Sequence, residues 1–337
     1  MTEQDAIDTR IQTYYGEIFD EQVRLTTRSP QGPLEFARTQ EIVRAHLPSG
    51  RVLDIGGGAG VHAAALQRDG YEVELIDPVP RHVEQARAGR VRARVGDARE
   101  LPFPDASFDG VLLLGPLYHL TWRNHRMQAL REAARVVRPG GFVFAAGLSR
   151  FIALGMATLG RQVPVPYPAD WVALAAHGTP APGMRFPAGH FHTAEELGEE
   201  VSAVGMHVLD VVGVEGPAGA LLESLARADA DLVEASMKVA RAAASVPGVR
   251  DMSAHLIAVA RVGADAYGVS IADGGEDAAM NGDHQRETQS NQSVPHESHV
   301  PEIEQDETIA PRPEEEVADL LRAEPDTRDH SHDGENA

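Results

Sequence analysis

The run RVLDIGGGAG at residues 51–60 restricts this chain more than any other segment. An apolar strand-like stretch leads directly into Asp54-Ile-Gly56-Gly-Gly58-Ala-Gly60, and the helix-compatible VHAAALQ follows. Glycines between a strand and a helix permit a tight turn and let the backbone approach a ligand closely. A turn of this kind belongs to open α/β sheets, in which ligands bind outside the carboxyl ends of parallel strands.

The residues up to about Gly147 repeat that theme. EVELID reads as a second strand and HVEQARA as a short helix. VRARVG is a third, more polar strand, and GVLLLG is a fourth with the continuous apolar run of a strand buried on both faces. Met127, Leu130, Ala134 and Val137 share one face of a helix that RPGG stops before a fifth strand, FVFAAG. Alternation at this spacing predicts a doubly wound sheet. Two further strands, HVLDVVGV and AHLIAVARV, are expected on either side of a long helix from about Ala218 to Ser245. Residues 161–192 are rich in Pro and Gly and read as an irregular insertion. Thr193 and Glu196 have the spacing of a capping box that opens the helix AEELGEEVSAVG.

Charge divides the chain unevenly. The formal net charge is −21 over 337 residues. Residues 264–337 hold 20 acids and 4 bases, which leaves 31 acids and 26 bases in residues 1–263. The folded part is therefore mildly acidic and lacks the basic stripe that a phosphate backbone requires, so no nucleic-acid partner is expected. The acidic tail has 11 large apolar or aromatic side chains, too few for a core, and is expected to be disordered. Its island EEEVADLL puts Val317, Leu320 and Leu321 on one helical face, a candidate contact for a protein partner. With no cysteine there is no disulfide, thiolate nucleophile or cysteine-held metal. The polar, acidic N-terminus is unlike a secretory signal, and the apolar run 142–160 is interrupted by Arg150; a soluble cytoplasmic protein without a membrane contact is expected.

Two ligands compete for the glycine turn. Gly58, Gly60 and Ala63 satisfy G-x-G-x-x-A, and Asp77 lies where a dinucleotide's ribose-binding acid belongs. Against a dinucleotide, Asp54 at the strand tip would oppose a pyrophosphate but could serve a cationic amino group. Asp97, after the third strand, is suited to accept from an adenine amine. Two strands beyond the fifth suit a seven-stranded sheet. Taken with VELIDPVP, GDARELPFPDASFDGVLLLGPLYHL and EAARVVRPGGFVFAAG, the chain resembles the class I S-adenosylmethionine-dependent methyltransferases that share a DxGxGxG first motif.

The resemblance covers about residues 35–263. It implies a seven-stranded, mostly parallel sheet of Rossmann-like type whose last strand is antiparallel, and S-adenosylmethionine as cofactor. With the composition and the insertion, the expected division is an N-terminal helical lid (1–34), a methyltransferase domain (35–263) with a substrate cap (151–192), and the tail (264–337). By position, Gly56, Gly58 and Gly60 would line the methionine and ribose part, Asp54 would face the amino-acid end, and Asp77 would hold both ribose hydroxyls. Asp97 and the backbone of Ala98 would meet the adenine, and Leu114 and Gly115 would lie near the sulfonium. Asp109, at the start of the fourth strand, is expected to be structural.

Methyl transfer depends mainly on alignment and exclusion of water, and needs a base when the acceptor carries a proton on its nucleophile. His119 in GPLYHLTW is the candidate base, with a packing role as the alternative, and Tyr118 would orient the acceptor. Tyr14 and Tyr15 in the N-terminal helix, Trp171 in the insertion, and His190 and His192 before the Thr193 cap are candidate acceptor contacts. No third ligand suits a metal beside the two histidines, so no metal is expected. The expected activity is methyl transfer to a small-molecule acceptor through O, N or C. The rival readings are a nicotinamide-dependent oxidoreductase and a cofactor-binding scaffold or regulator acting through its acidic tail.

Overall fold

The apolar runs of the first half become adjacent parallel strands in a computed structural model of the chain, which describes residues 3–13, 15, 21–152, 169–179 and 189–263. In chain order the strands are β1 (Arg51–Ile55), β2 (Glu72–Asp77), β3 (Arg92–Val95), β4 (Phe108–Leu113), β5 (Val137–Ser149), β6 (Phe191–His192), β7 (Met206–Gly213) and β8 (His255–Val262). They form one sheet in the order β3-β2-β1-β4-β5-β8-β7, with the two-residue β6 beside the end of β5. β8 runs antiparallel to both β5 and β7, and the other pairs are parallel. The expected seven-strand path is therefore present, with β6 as an addition to it. Strand order reverses direction between β1 and β4, which opens a crevice at their carboxyl ends.

Side-chain alternation divides the sheet into two cores. Leu53, Ile55, Val111, Leu113, Val143 and Ala145 face one side; Val52, Leu112, Phe144 and Ala146 face the other. β8 obeys the same parity, with Leu256 and Ala258 on the first side and Ile257 and Val259 on the second. The helices, in chain order, are α1 (Glu3–Thr13), α2 (Glu21–Thr26), α3 (Gln31–His46), α4 (Val61–Arg68), α5 (Pro80–Ala88), α6 (Pro116–His119), α7 (Arg123–Val136), α8 (Ala169–His177), α9 (Ala194–Ser202), α10 (Gly219–Ser224) and α11 (Ala230–Ala243). α7 and α9 cover the first face through Met127, Leu130, Leu197 and Val201. α3, α4 and α5 cover the second through Ile42, Val43, Leu66 and Ala86. Arg126 and Glu200 join α7 to α9 in a paired, buried double hydrogen bond of 2.7 and 2.9 Å.

Several expectations change. The long helix from Ala218 to Ser245 is two helices, α10 and α11, broken at residues 225–229. β5 starts at Val137, so RPGG lies inside the strand's span, at the register shift between the Phe108–Val137 and Gly110–Phe142 pairs, rather than ahead of it. Part of the insertion is helical, as α8. The 34/35 boundary falls in the first turn of α3. Thr193 does cap α9, accepting from the Glu196 N–H at 3.1 Å. The Glu196 carboxylate, instead of closing a capping box, pairs with His190 and Arg150. Asp109 is structural as expected, accepting from the Arg51 N–H (2.7 Å) and from Arg138 (2.6 Å). Tyr14, the tail 264–337 with its Val317–Leu321 island, and residues 153–168 and 180–188 of the insertion lie outside the described residues. No helix among the described residues is long and apolar enough to cross a membrane.

Candidate functional site

The end of β1 enters its turn through three glycines with left-handed backbone: Gly56 (φ 69°), Gly58 (φ 56°) and Gly60 (φ 81°). Added Cβ atoms would not fit. At Gly56 one would stand 2.8 Å from the Pro116 ring, and at Gly57 one would stand 2.6 Å from the Asp54 carboxyl. Gly56, Gly57 and Gly58 line a continuous cavity at the carboxyl ends of the strands. Gly60 does not line it; its missing side chain makes room for Ala86 of α5, where a Cβ would come within 3.2 Å. Gly60 thus packs against α5 at the start of α4, between Ala59 and Val61, which do line the cavity.

Three carboxylates named from the sequence border this cavity and differ in state. Asp54 is 1% exposed, and its Oδ2 has no hydrogen-bond partner among the described residues. Burial, followed by repulsion from Asp77, pushes its carboxyl up to about 7, against a small opposing effect of the Ala63 N–H. Asp77 accepts from Gly58 N–H (2.9 Å) and Val79 N–H (2.9 Å), and its Oδ1 lies 3.2 Å from His82 Nδ1. A carboxylate offers about four lone-pair sites. Three neighbours leave room for one further donor, fewer than the two ribose hydroxyls expected of it. Asp97 is clasped by Arg99, through the backbone N–H (2.8 Å) and the guanidinium Nε (2.9 Å). Partial burial would raise its carboxyl, yet Arg99 holds it below the ordinary value. Arg99 also donates to Asp8 of α1 at 2.7 Å, tying the N-terminal helix to this rim.

Beyond β4, Ala98, Leu114, Gly115, Tyr118 and His119 all reach the same cavity. Gly115 precedes the one-turn α6, with Pro116 at its first position and His119 at its last. His119 Nε2 is 3.0 Å from the Tyr15 hydroxyl, with the rings edge-on at 5.2 Å. Burial depresses the His119 imidazole to about 4, with Asp77 pulling weakly the other way, so the ring is neutral near pH 7. Tyr15 also meets His82 edge-on at 5.9 Å.

His190 and His192 do not line this cavity. His190 Nε2 lies 2.7 Å from Glu196, and the fully buried His192 lies 3.4 Å from Glu200. Both face α9, whose carboxylates draw them away. Trp171 is in α8, and its side chain lies outside the described residues.

The cavity has a further wall that sequence reasoning missed. Glu35 of α3, Glu215 after β7 and His255 of β8 bring ligand atoms within 4.8 Å of one another. His255 Nδ1 contacts Glu215 Oε1 at 2.5 Å and Glu35 Oε2 at 3.6 Å. Arg24 of α2 donates to both Glu35 oxygens, at 2.5 and 2.8 Å, and Gln31 donates to Glu215 at 2.8 Å. Arg24 occupies both Glu35 oxygens and Gln31 and His255 engage Glu215, so these groups are joined in an ion network. Burial opposes charge on His255, but the charges of Glu35 and Glu215 and the Glu215 hydrogen bond outweigh it and push the imidazole up to about 9. Burial likewise opposes charge on Glu35, but Arg24 and His255 bring it down to about 2. His62 of α4 completes the wall; burial pushes it down to about 4.

The donor set suits a cationic, adenosine-bearing ligand. A buried carboxyl with an unpartnered oxygen calls for a positive group, and a turn with no space for Cβ atoms admits close backbone contact. Residues 53–145 match the family model described as a methyltransferase domain. A protein of Mycolicibacterium smegmatis described as a probable S-adenosylmethionine-dependent methyltransferase is 33% identical over 223 residues, 64% of this chain and 74% of that protein. The ubiquinone biosynthesis O-methyltransferase of Methylocella silvestris is 30% identical over 171 residues, 49% of this chain and 60% of that enzyme. Among solved structures, the Burkholderia thailandensis 1,6-didemethyltoxoflavin-N1-methyltransferase, with 1,6-didemethyltoxoflavin and S-adenosylhomocysteine bound, is 19% identical with a TM-score of 0.48, covering 77% of this chain and 89% of that one. Asp54, the glycine turn and the 33% identity to the Mycolicibacterium protein over 74% of that protein's length lead to one family, and the chain belongs to the S-adenosylmethionine-dependent methyltransferases, with S-adenosylmethionine as its cofactor.

Proposed function

We propose that this methyltransferase acts on a small-molecule acceptor whose attacking atom is a hydroxyl oxygen, bound between Tyr118, His119 and the N-terminal segment. When bound, S-adenosylmethionine supplies an electrophilic methyl group on a sulfonium. In this reading Asp54 neutralises the cofactor's amino group, Asp77 takes one ribose hydroxyl, and Ala98 and Asp97 contact the adenine. Gly56, Gly58, Leu114 and Gly115 allow close approach of the methionine part. Residues 1–34 act as a lid, and residues 151–192 act as a cap that brings Trp171, and Tyr14 from the lid, toward the acceptor.

The observation that carries the reading is the pairing of His119 Nε2 with the Tyr15 hydroxyl inside the cavity that contains the glycine turn. A neutral imidazole can accept a proton at Nε2, and Tyr15 can pass the acceptor's proton to it. Tyr118, whose ring centroid is 4.8 Å from that of His119, would orient the acceptor's body. Ile11 of α1 and Tyr15 beyond its end line this cavity, which favours a small acceptor and the exclusion of bulk water. The Methylocella relative is named for a quinone pathway O-methylation, in keeping with a hydroxyl acceptor.

The test is a screen of phenols and quinols that reads S-adenosylhomocysteine release, repeated with His119→Ala and Tyr15→Phe. Loss of the base is expected to lower kcat about 10²–10⁴-fold. S-adenosylhomocysteine affinity should stay within twofold. Undiminished turnover by His119→Ala would remove it as the base.

A further inference from the structure

Resting on that reading, the acceptor space has a second polar wall, formed by α2, α3 and β8. His255 pairs with Leu148 in the sheet register, so it stands at the carboxyl end of β5, on the acceptor side of the crevice. Its backbone N–H and its Nδ1 are both directed to Glu215, at 3.0 and 2.5 Å. This fixes the ring, and its Nε2 makes no hydrogen bond among the described residues.

The network is also polarised. Its anions are turned away from solvent: the side chain of Glu215 is 0% exposed and that of Glu35 is 7% exposed. Its cations are more open, with Arg24 at 15% and His255 at 14%. Both carboxylates lie at Nδ1, which leaves the opposite ring nitrogen, Nε2, as the donor that His255 can offer to a ligand in the cavity it lines. Around it the lining combines apolar Leu25, Ala146, Val214 and Ile257 with Thr39, His62 and the paired Arg24 and Glu35. Tyr118 is near both ends of the acceptor space, its ring 6.3 Å from His255 and 4.8 Å from His119. A single substituted ring beside Tyr118 can therefore put one substituent near His119 and another near His255.

We propose that His255 is the acceptor-recognition donor, and that the acceptor bears an anionic oxygen, a carboxylate or a phenolate, on a compact apolar ring, as an anchor distinct from the atom that is methylated. A charge-assisted hydrogen bond from a buried imidazolium discriminates strongly against a neutral isostere. Glu215, Gln31 and Glu35 are positioning residues for this donor, and Arg24 keeps Glu35 in place.

The experiment uses the full chain saturated with S-adenosylhomocysteine, titrated calorimetrically with benzoate, 4-nitrophenolate and the neutral isostere benzamide. Labelled imidazole nitrogens are followed by NMR in parallel. At least one anion should bind tenfold or more tightly than benzamide and shift the His255 Nε2 resonance; the tighter anion identifies the anchor. His255→Gln should abolish that preference while S-adenosylhomocysteine affinity stays within twofold. Equal binding of benzoate, 4-nitrophenolate and benzamide by the wild-type chain overturns the proposal without relying on any variant. So does an undisturbed His255 resonance. If S-adenosylhomocysteine fails to bind at the outset, the methyltransferase reading falls as well, a result distinguishable because it precedes any acceptor probe.

Discussion

Asp54→Asn should make the cofactor-free protein more stable and the cofactor site worse. The wild-type carboxyl moves from an ordinary 3.8 to about 7 through burial and the charge of Asp77. That difference is worth on the order of 4 kcal/mol between the protonated and charged forms. Because the folded state binds this proton more tightly than the unfolded chain, stability declines as pH rises from about 4 through 7, then levels off. Asparagine cannot ionise and escapes the decline. Urea unfolding of both proteins without cofactor at pH 4, 6 and 8 should give curves that nearly coincide at pH 4. They should separate by up to about 4 kcal/mol in favour of Asp54→Asn at pH 8. Calorimetry at pH 8 should show S-adenosylhomocysteine binding weakened tenfold or more, because the ligand's ammonium loses its counter-charge. A difference between the two proteins that does not vary with pH would refute the argument, since it would mean that the buried carboxyl is not strained by its charge.

Gly57→Ala brings a Cβ to 2.6 Å from both the Asp54 carboxyl and Leu75 Cδ1; it should abolish detectable cofactor binding by calorimetry, and normal affinity would show that the turn can give way. Glu200→Gln leaves Arg126 buried without its counter-charge and should cost about 3–5 kcal/mol in urea unfolding; a loss below about 1 kcal/mol would refute that account. Arg99→Ala releases α1 from the Asp97 rim and should raise the Kd for S-adenosylhomocysteine a fewfold, an effect that about 0.5 M salt should reproduce in the wild type. The stability due to His255, raised to about 9, is complete below 6.5 and is lost as pH rises through 9; that due to Glu35, lowered to about 2, is lost as pH falls below 4.5. His255→Gln should therefore flatten the alkaline decline in melting temperature between pH 6.5 and 9, and an unchanged alkaline limb would refute the ion network.

The glycine turn and the strand-end residues proposed to hold the cofactor could be placed at one crevice from the sequence because their information is local. Asp54 and the glycines sit within seven residues of one strand end, and the turn they make depends on backbone conformations that glycine adopts freely. Asp77, Asp97, Leu114 and Gly115 follow strands whose apolar runs could be read directly, and a parallel sheet carries every strand end to the same crevice. Fold class and cofactor therefore came from short-range pattern. Details that depend on what each side chain meets did not. Gly60 serves α5 packing, and Asp77 is largely occupied by its own backbone.

The wall proposed to meet the acceptor depended on tertiary structure. Arg24, Glu35, Glu215 and His255 are spread across more than 200 residues of sequence and share no spacing rule. They meet because β8 returns antiparallel between β5 and β7, which puts the first residue of β8 and the loop after β7 beside α3. His190 and His192 show the converse: adjacent to a strand and a cap, they looked available, yet α9 presents Glu196 and Glu200 on the face that meets them. Charge states also came from packing, since a histidine is neutral at position 119 and charged at position 255 according to whether carboxylates or apolar walls surround it. The sequence by itself determined the sheet, the glycine turn and the cofactor. The folded chain alone decided which distant polar groups share the cavity and which protons they hold, because desolvation and charge pairing act through space rather than along the chain.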